Sequence, residues 1–77
     1  MKDLSKEKIV KEFGLFIREA RESKGLYQSD VSAKIGVSRG YYAHLEAGDR
    51  DISFALAMKI CHALGLDLNE FVKLMIK

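Results

Sequence analysis

QSDVSAKIGVSRGYYAHLEAG, residues 28–48, is the stretch on which the fold turns. Val31 and Ile35 lie four residues apart, and Tyr42 and Leu45 three apart. Each pair marks the apolar face of a short helix, about residues 28–35 and about 39–47. Between them stand Gly36, Val37 and Ser38. Gly36 ends the first of these helices and permits a sharp turn, because it tolerates left-handed backbone. Val37 drops into the core between the two. Ser38 caps the second, its hydroxyl accepting from free backbone N–H groups of the first turn.

The pattern extends outward on both sides. Upstream, a helix is expected from about Ser5 to Lys24, with Ser5 as N-cap. Ile9, Phe13, Phe16, Ile17 and Ala20 form its apolar stripe. Arg18, Arg21 and Lys24 place positive charge at its C-terminal end, where the helix dipole is negative. Downstream, Ser53 caps a fourth helix, Phe54 to Leu64, with Leu56, Ile60 and Leu64 inward. Asp67 caps a fifth, and Glu70 three residues later completes a capping-box pattern. Leu68, Phe71, Val72 and Met75 are its expected buried face. Gly25, Gly36, Gly48 and Gly65 each follow a helical stretch, where a C-cap is needed. Five helices and no convincing strand make an all-α domain.

Composition narrows the function classes. A chain of 77 residues reads as a single domain, 1–77. Its 48% hydrophobic residues can supply one core. Burying only roughly 60% of the unfolded surface implies modest stability. No window has the ~18 or more consecutive apolar residues of a membrane span. The start, MKDLSKEKIVKEF, alternates charged and apolar residues and lacks the apolar centre of a secretion signal. The single cysteine, Cys61, rules out a disulfide framework and fits a reducing cytoplasm. The net charge of +2 is only weakly basic, but Lys and Arg cluster in the first half. Cys61 and His62 lack further ligands at zinc spacing, since a structural site needs about four. No catalytic triad, phosphate-binding glycine loop or paired-carboxylate motif is recognisable, so neither an enzyme nor a cofactor is expected.

Two short helices about a tight turn are the shape of a helix-turn-helix, with its core at residues 28–47. That device lays its second helix in the major groove of DNA. From about Phe13 to Phe71 the chain also resembles the phage repressor/Cro-type (Xre-type) helix-turn-helix family. The matching residues are FGLFIREARESKGL, Gln28, Val31-Ser32, Gly36-Val37-Ser38, Leu45-Glu46, Gly48, and ALGLDLNEF at residues 63–71. The resemblance implies a compact five-helix lambda-repressor-like domain that binds double-stranded DNA.

It also implies roles for single residues. Arg39, Gly40 and His44 would meet bases. The Arg39 fork matches the O6 and N7 acceptors of guanine, worth ~1–3 kcal/mol of discrimination. Gln28, Ser38, Tyr41 and Arg50 would meet phosphates, with Arg18 and Lys34 as further candidates. Arg21 and Glu46 resemble the family's internal ion pair. Two departures stand out. Tyr27 occupies a position where the family has a capping Ser, Thr or Asn, and Ala47 replaces a frequent Asn. Each removes a side-chain bond, and Asp49 and Asp51 would repel phosphate if they pointed inward.

In the last helix, LNEFVKLMIK, apolar residues exceed one stripe. Phe71, Leu74, Met75 and Ile76 are the candidate homodimer interface. The expected function is a sequence-specific transcriptional regulator, a repressor, on a near-palindromic operator. Its two half-sites would lie about one DNA turn, near 34 Å, apart. The alternative is an antitoxin or adaptor-type module on the same fold, whose main ligand is a separate protein partner.

Overall fold

A computed structural model of the chain describes residues 3–77. They form five helices: α1 (Lys6–Ser23), α2 (Gln28–Ile35), α3 (Arg39–Ala47), α4 (Phe54–Leu64) and α5 (Leu68–Ile76). There is no strand among the described residues.

The starts of the helices are set by their caps. The Lys8, Tyr41 and Leu56 backbone N–H groups donate to the hydroxyls of Ser5, Ser38 and Ser53 at 3.3, 3.1 and 3.0 Å. The Asn69 N–H donates to the Asp67 carboxylate at 2.9 Å. The capping box expected at Asp67 and Glu70 is not completed. The Glu70 carboxylate lies instead 4.0 Å from Lys73 Nζ, on the solvent side. At α2 the side-chain cap is missing, since a phenol cannot fold back onto its own helix start. The opposite arm is present: the Tyr27 N–H donates to the Asp30 carboxylate at 2.6 Å. This end of α2 is therefore better held than the loss of a capping Ser or Thr suggests.

The core gathers Phe13 and Ile17 of α1, Val31 and Ile35 of α2, and Tyr42 and Leu45 of α3. Ala57, Ile60, Cys61 and Leu64 of α4 and Phe71 of α5 complete it. Full burial of residues such as Ile17, Val31, Ile60 and Leu64 contributes about 1.5–3 kcal/mol each. Two apolar faces differ from the sequence reading. The α4 face runs through Ala57, Ile60, Cys61 and Leu64, so Leu56 is only half-buried. On α5 Phe71 is buried, while Val72 stands 47% exposed. The Phe71 ring meets Phe13 edge-on at 5.1 Å and Phe16 at 5.4 Å, and this rotation turns Val72 outward.

α1 crosses α3 at close range. A Cβ on Gly14 would collide with the Glu46 carbonyl oxygen and come 2.6 Å from that of Leu45. A Cβ on Gly48 would meet the Lys11 Cα at 2.7 Å. These approaches fix how α3 is presented to solvent.

Candidate nucleic-acid interface

α3 is aimed by the turn before it. Gly36 takes left-handed backbone, φ 76°, and the Val37 N–H donates back to the Ser32 carbonyl at 3.1 Å. Ser38 then caps α3. At about 100° per residue, the buried residues Tyr42, Leu45 and Glu46 define one side of the helix. The opposite side carries Gly40, Ala43, His44 and Ala47, with Arg39 at its edge. Three of those outward residues have no polar side-chain atom. His44 is the one polar side chain near the centre of the face.

Arg39 is held by a chain of polar contacts running inward. Its Nη1 donates to Gln28 Oε1 at 3.4 Å, and Gln28 Nε2 donates to Glu46 Oε1 at 3.1 Å. Arg21 grips the same carboxylate in a fork, Nε to Oε2 at 2.7 Å and Nη2 to Oε1 at 3.0 Å. Its remaining arm, Nη1, reaches the Leu26 carbonyl at 2.8 Å. The Arg21–Glu46 pair thus joins α1 to α3, and Gln28 brings α2 onto it. Burial would raise the Glu46 carboxyl, but bonds from Arg21 and Gln28 outweigh it and hold the group below its ordinary value. The bond to Glu46 raises Arg21.

Tyr42 fills a core position below this network. Its side chain is fully buried and its hydroxyl has no hydrogen-bond partner. Burial first, then the adjacent Glu46 carboxylate, pushes the phenol well above its ordinary range.

Five of the expected DNA-facing residues fall into three places. Arg18, Gln28 and Arg39 border two adjoining shallow clefts around Arg21, where exposed Tyr27 also stands. Arg50 lines a separate cleft with Lys6 and Lys11 at the start of α1. Lys34 lies elsewhere, beside Lys59 and His62 between α2 and α4. Ser38 is occupied as a cap, Tyr41 is half-buried against the core, and Gly40 opens on empty space. Arg18 is also bonded to Glu22 at 3.2 Å.

Sequence reasoning missed the partner of His44. Its Nδ1 lies 2.9 Å from Asp49 Oδ1, and Lys6 Nζ lies 2.7 Å from Asp51 Oδ2. Both aspartates after α3 are therefore engaged by cations or a ring N–H rather than left free against phosphate. The one available signal was Gly48, whose left-handed backbone folds Asp49 back over the end of α3.

On α5, Leu74 and Ile76 are exposed, Met75 is half-buried, and Phe71 belongs to the core. Among the described residues no three His, Cys, Asp or Glu side chains are placed to share a metal ion. Burial and the Asp67 charge raise the Cys61 thiol. No helix among the described residues is long and apolar enough to cross a membrane.

Known proteins share the fold that carries this face. The family model described as "Helix-turn-helix" matches residues 17–71. The control protein C.MunI of a Mycoplasma species is 36% identical over 59 residues, 75% of this chain and 80% of that protein. The restriction-modification controller C.AhdI of Aeromonas hydrophila superposes with a TM-score of 0.75 at 33% identity. That match covers 83% of this chain and 96% of C.AhdI. The clp gene regulator ClgR of C. glutamicum superposes at 0.79 with 30% identity, over 83% of each chain.

Proposed function

This chain belongs to the helix-turn-helix family of DNA-binding transcriptional regulators, and we propose that it is a sequence-specific repressor acting as a homodimer on a near-palindromic operator. The carrying observation is the outward face of α3. Gly40, Ala43 and Ala47 leave the helix backbone bare enough to enter the major groove closely. Arg39 at the edge of that face is steered by Gln28. Arg39 and His44 read bases, with Gly40 at the point of closest approach. Gln28, Ser38, Tyr41 and Arg50 fix register on phosphates, with Arg18 beside them and Lys34 at greater distance.

The second copy docks through α5, where Leu74 and Ile76 lie 59% and 58% exposed. Residues 1–77 act as one domain in the cytoplasm, without a cofactor. The likeness to C.MunI and C.AhdI favours control of a restriction-modification system as the setting. A second reading, a protein-interaction module, draws on the same α5 surface, which a separate protein could cover instead.

The test is a titration of labelled duplex carrying the DNA upstream of the protein's own gene, with competitor, at several salt concentrations. Specific binding should survive nonspecific competitor. Binding that is weak, steeply salt-dependent and indifferent to sequence would defeat this reading.

A further inference from the structure

The pair formed by His44 and Asp49 lies on the α3 face, and neither packing nor helix capping requires it. It arises from the C-terminal turn of the helix. Gly48 sits at φ 74°, its N–H donating to the His44 carbonyl at 3.0 Å and to that of Leu45 at 3.2 Å. The Asp49 N–H also reaches the His44 carbonyl, at 3.3 Å. Only glycine fits at position 48, with Lys11 packed where a Cβ would stand. The turn therefore delivers the Asp49 side chain to a residue five positions earlier, beyond the usual reach of side chains along a helix. Both carboxylate oxygens lie near His44 Nδ1, at 2.9 and 3.1 Å.

Both side chains are about half exposed, 48% for His44 and 57% for Asp49. A pair this open to water adds little to stability. What it does fix is the proton. A carboxylate can only accept, so Nδ1 must carry the hydrogen. In the neutral ring Nε2 is then a bare lone pair. The ring sits on the outward face of α3, among Gly40, Ala43 and Ala47, which offer no side-chain hydrogen bond of their own.

We propose that Asp49 is a positioning residue for sequence reading: by holding the proton on His44 Nδ1, it makes His44 Nε2 an acceptor for an exocyclic base amine. In the major groove that amine is adenine N6 or cytosine N4. Arg39, a pure donor, reads guanine acceptors from the edge of the same face. The two side chains thus ask opposite questions of neighbouring base pairs. The charged groups around Asp49 are Lys6, Glu7, Lys11, Arg50 and Asp51. Lys6 is bonded to Asp51, and the side chain within hydrogen-bond reach of Asp49 is His44.

This inference rests on α3 entering the major groove, and its test has one arm that does not. In 15N-edited NMR, in a buffer where the 15N shifts themselves show the ring neutral, His44 should show the Nδ1–H tautomer. Asp49→Ala should return it to a mixture dominated by Nε2–H. A wild-type ring already in the Nε2–H form overturns the proposal, whatever the DNA does.

The second arm replaces each base pair of the best-bound duplex in turn. His44→Ala and Asp49→Ala should both flatten the preference at the same pair, on the order of tenfold. The double variant should be no flatter than His44→Ala alone. Removing the exocyclic amine from that base should weaken the wild type and leave His44→Ala unaffected. Circular dichroism checks that each variant is folded. Wild-type preferences kept in Asp49→Ala, or an Asp49 effect that persists without His44, would refute the role. A wild type that binds no duplex specifically ends both this inference and the proposed function; the tautomer alone failing ends only this one.

Discussion

Replacing Glu46 with alanine strips a buried cation of its partner, and the structure sets the size of the effect. The Arg21 side chain is 12% exposed and that of Glu46 3%. Arg21 would be left with a guanidinium largely out of water, one carbonyl bond to Leu26, and only the solvated Glu22 carboxylate, 3.9 Å from Nη2. Breaking one side of such a pair costs about 3–5 kcal/mol. A chain of 77 residues holds a total of roughly 4–12 kcal/mol, at ~0.05–0.15 kcal/mol per residue. The loss is thus a large fraction of the whole. At about 4–8 °C per kcal/mol for a domain this small, Tm should fall by at least ~12 °C. Glu46→Gln keeps an oxygen for Arg21 but loses the charge, and should fall between wild type and alanine. The assay is thermal unfolding followed by circular dichroism at neutral pH.

Acid provides a second axis. The folded Glu46 carboxyl is held below the ordinary value of 4.5. Its stabilising contribution is therefore complete above that ordinary value, and is lost as pH falls through the lowered folded one. Part of the acid sensitivity of the wild type should be absent from Glu46→Gln. A loss under about 1 kcal/mol for Glu46→Ala, the range of solvated surface pairs, would refute the argument.

Three further substitutions test separate parts of the account. Gly14→Ala forces a Cβ against the carbonyls of Leu45 and Glu46, which are backbone and cannot swing aside. It should destabilise by at least ~1–3 kcal/mol, the usual range for overpacking, and an unchanged Tm would mean that α1 and α3 sit further apart. Gly40→Ala opens onto empty space and should raise helix stability by up to ~1 kcal/mol. In the same protein, operator affinity should fall, so matched melting and binding curves must move in opposite directions. Tyr42→Phe removes a buried hydroxyl without a partner and should leave stability unchanged or improve it. A drop of more than about 1 kcal/mol in denaturant unfolding would show that the phenol bonds to the Arg21–Glu46 network.

The elements were legible because their ends carry explicit chemistry. Ser5, Ser38, Ser53 and Asp67 all cap where the sequence places them. The rotation of α4 was not legible. FALAMKICHAL is apolar nearly all round, so the Leu56 and Ala57 faces compete and periodicity cannot choose. Phe13 and Phe16 choose for α5 by enclosing Phe71, a contact distant in sequence that exposes Val72. On the candidate site, the resemblance names all four residues of the Arg39–Gln28–Glu46–Arg21 chain and its Arg21–Glu46 link, but not the bonds by which Gln28 joins Glu46 to Arg39. The meeting of His44 and Asp49 depends on backbone geometry at Gly48, which spacing alone does not reveal.

The central claim is that the outward face of α3 reads DNA sequence. Selection of bound duplexes from a random pool, by the wild type and by Arg39→Ala in parallel, tests it most directly. The wild type should enrich an inverted repeat whose half-site centres lie about one turn, ~34 Å, apart. Arg39→Ala should enrich the same repeat with one base pair per half-site left degenerate. No enriched sequence from the wild type, or an identical site from Arg39→Ala, would contradict it.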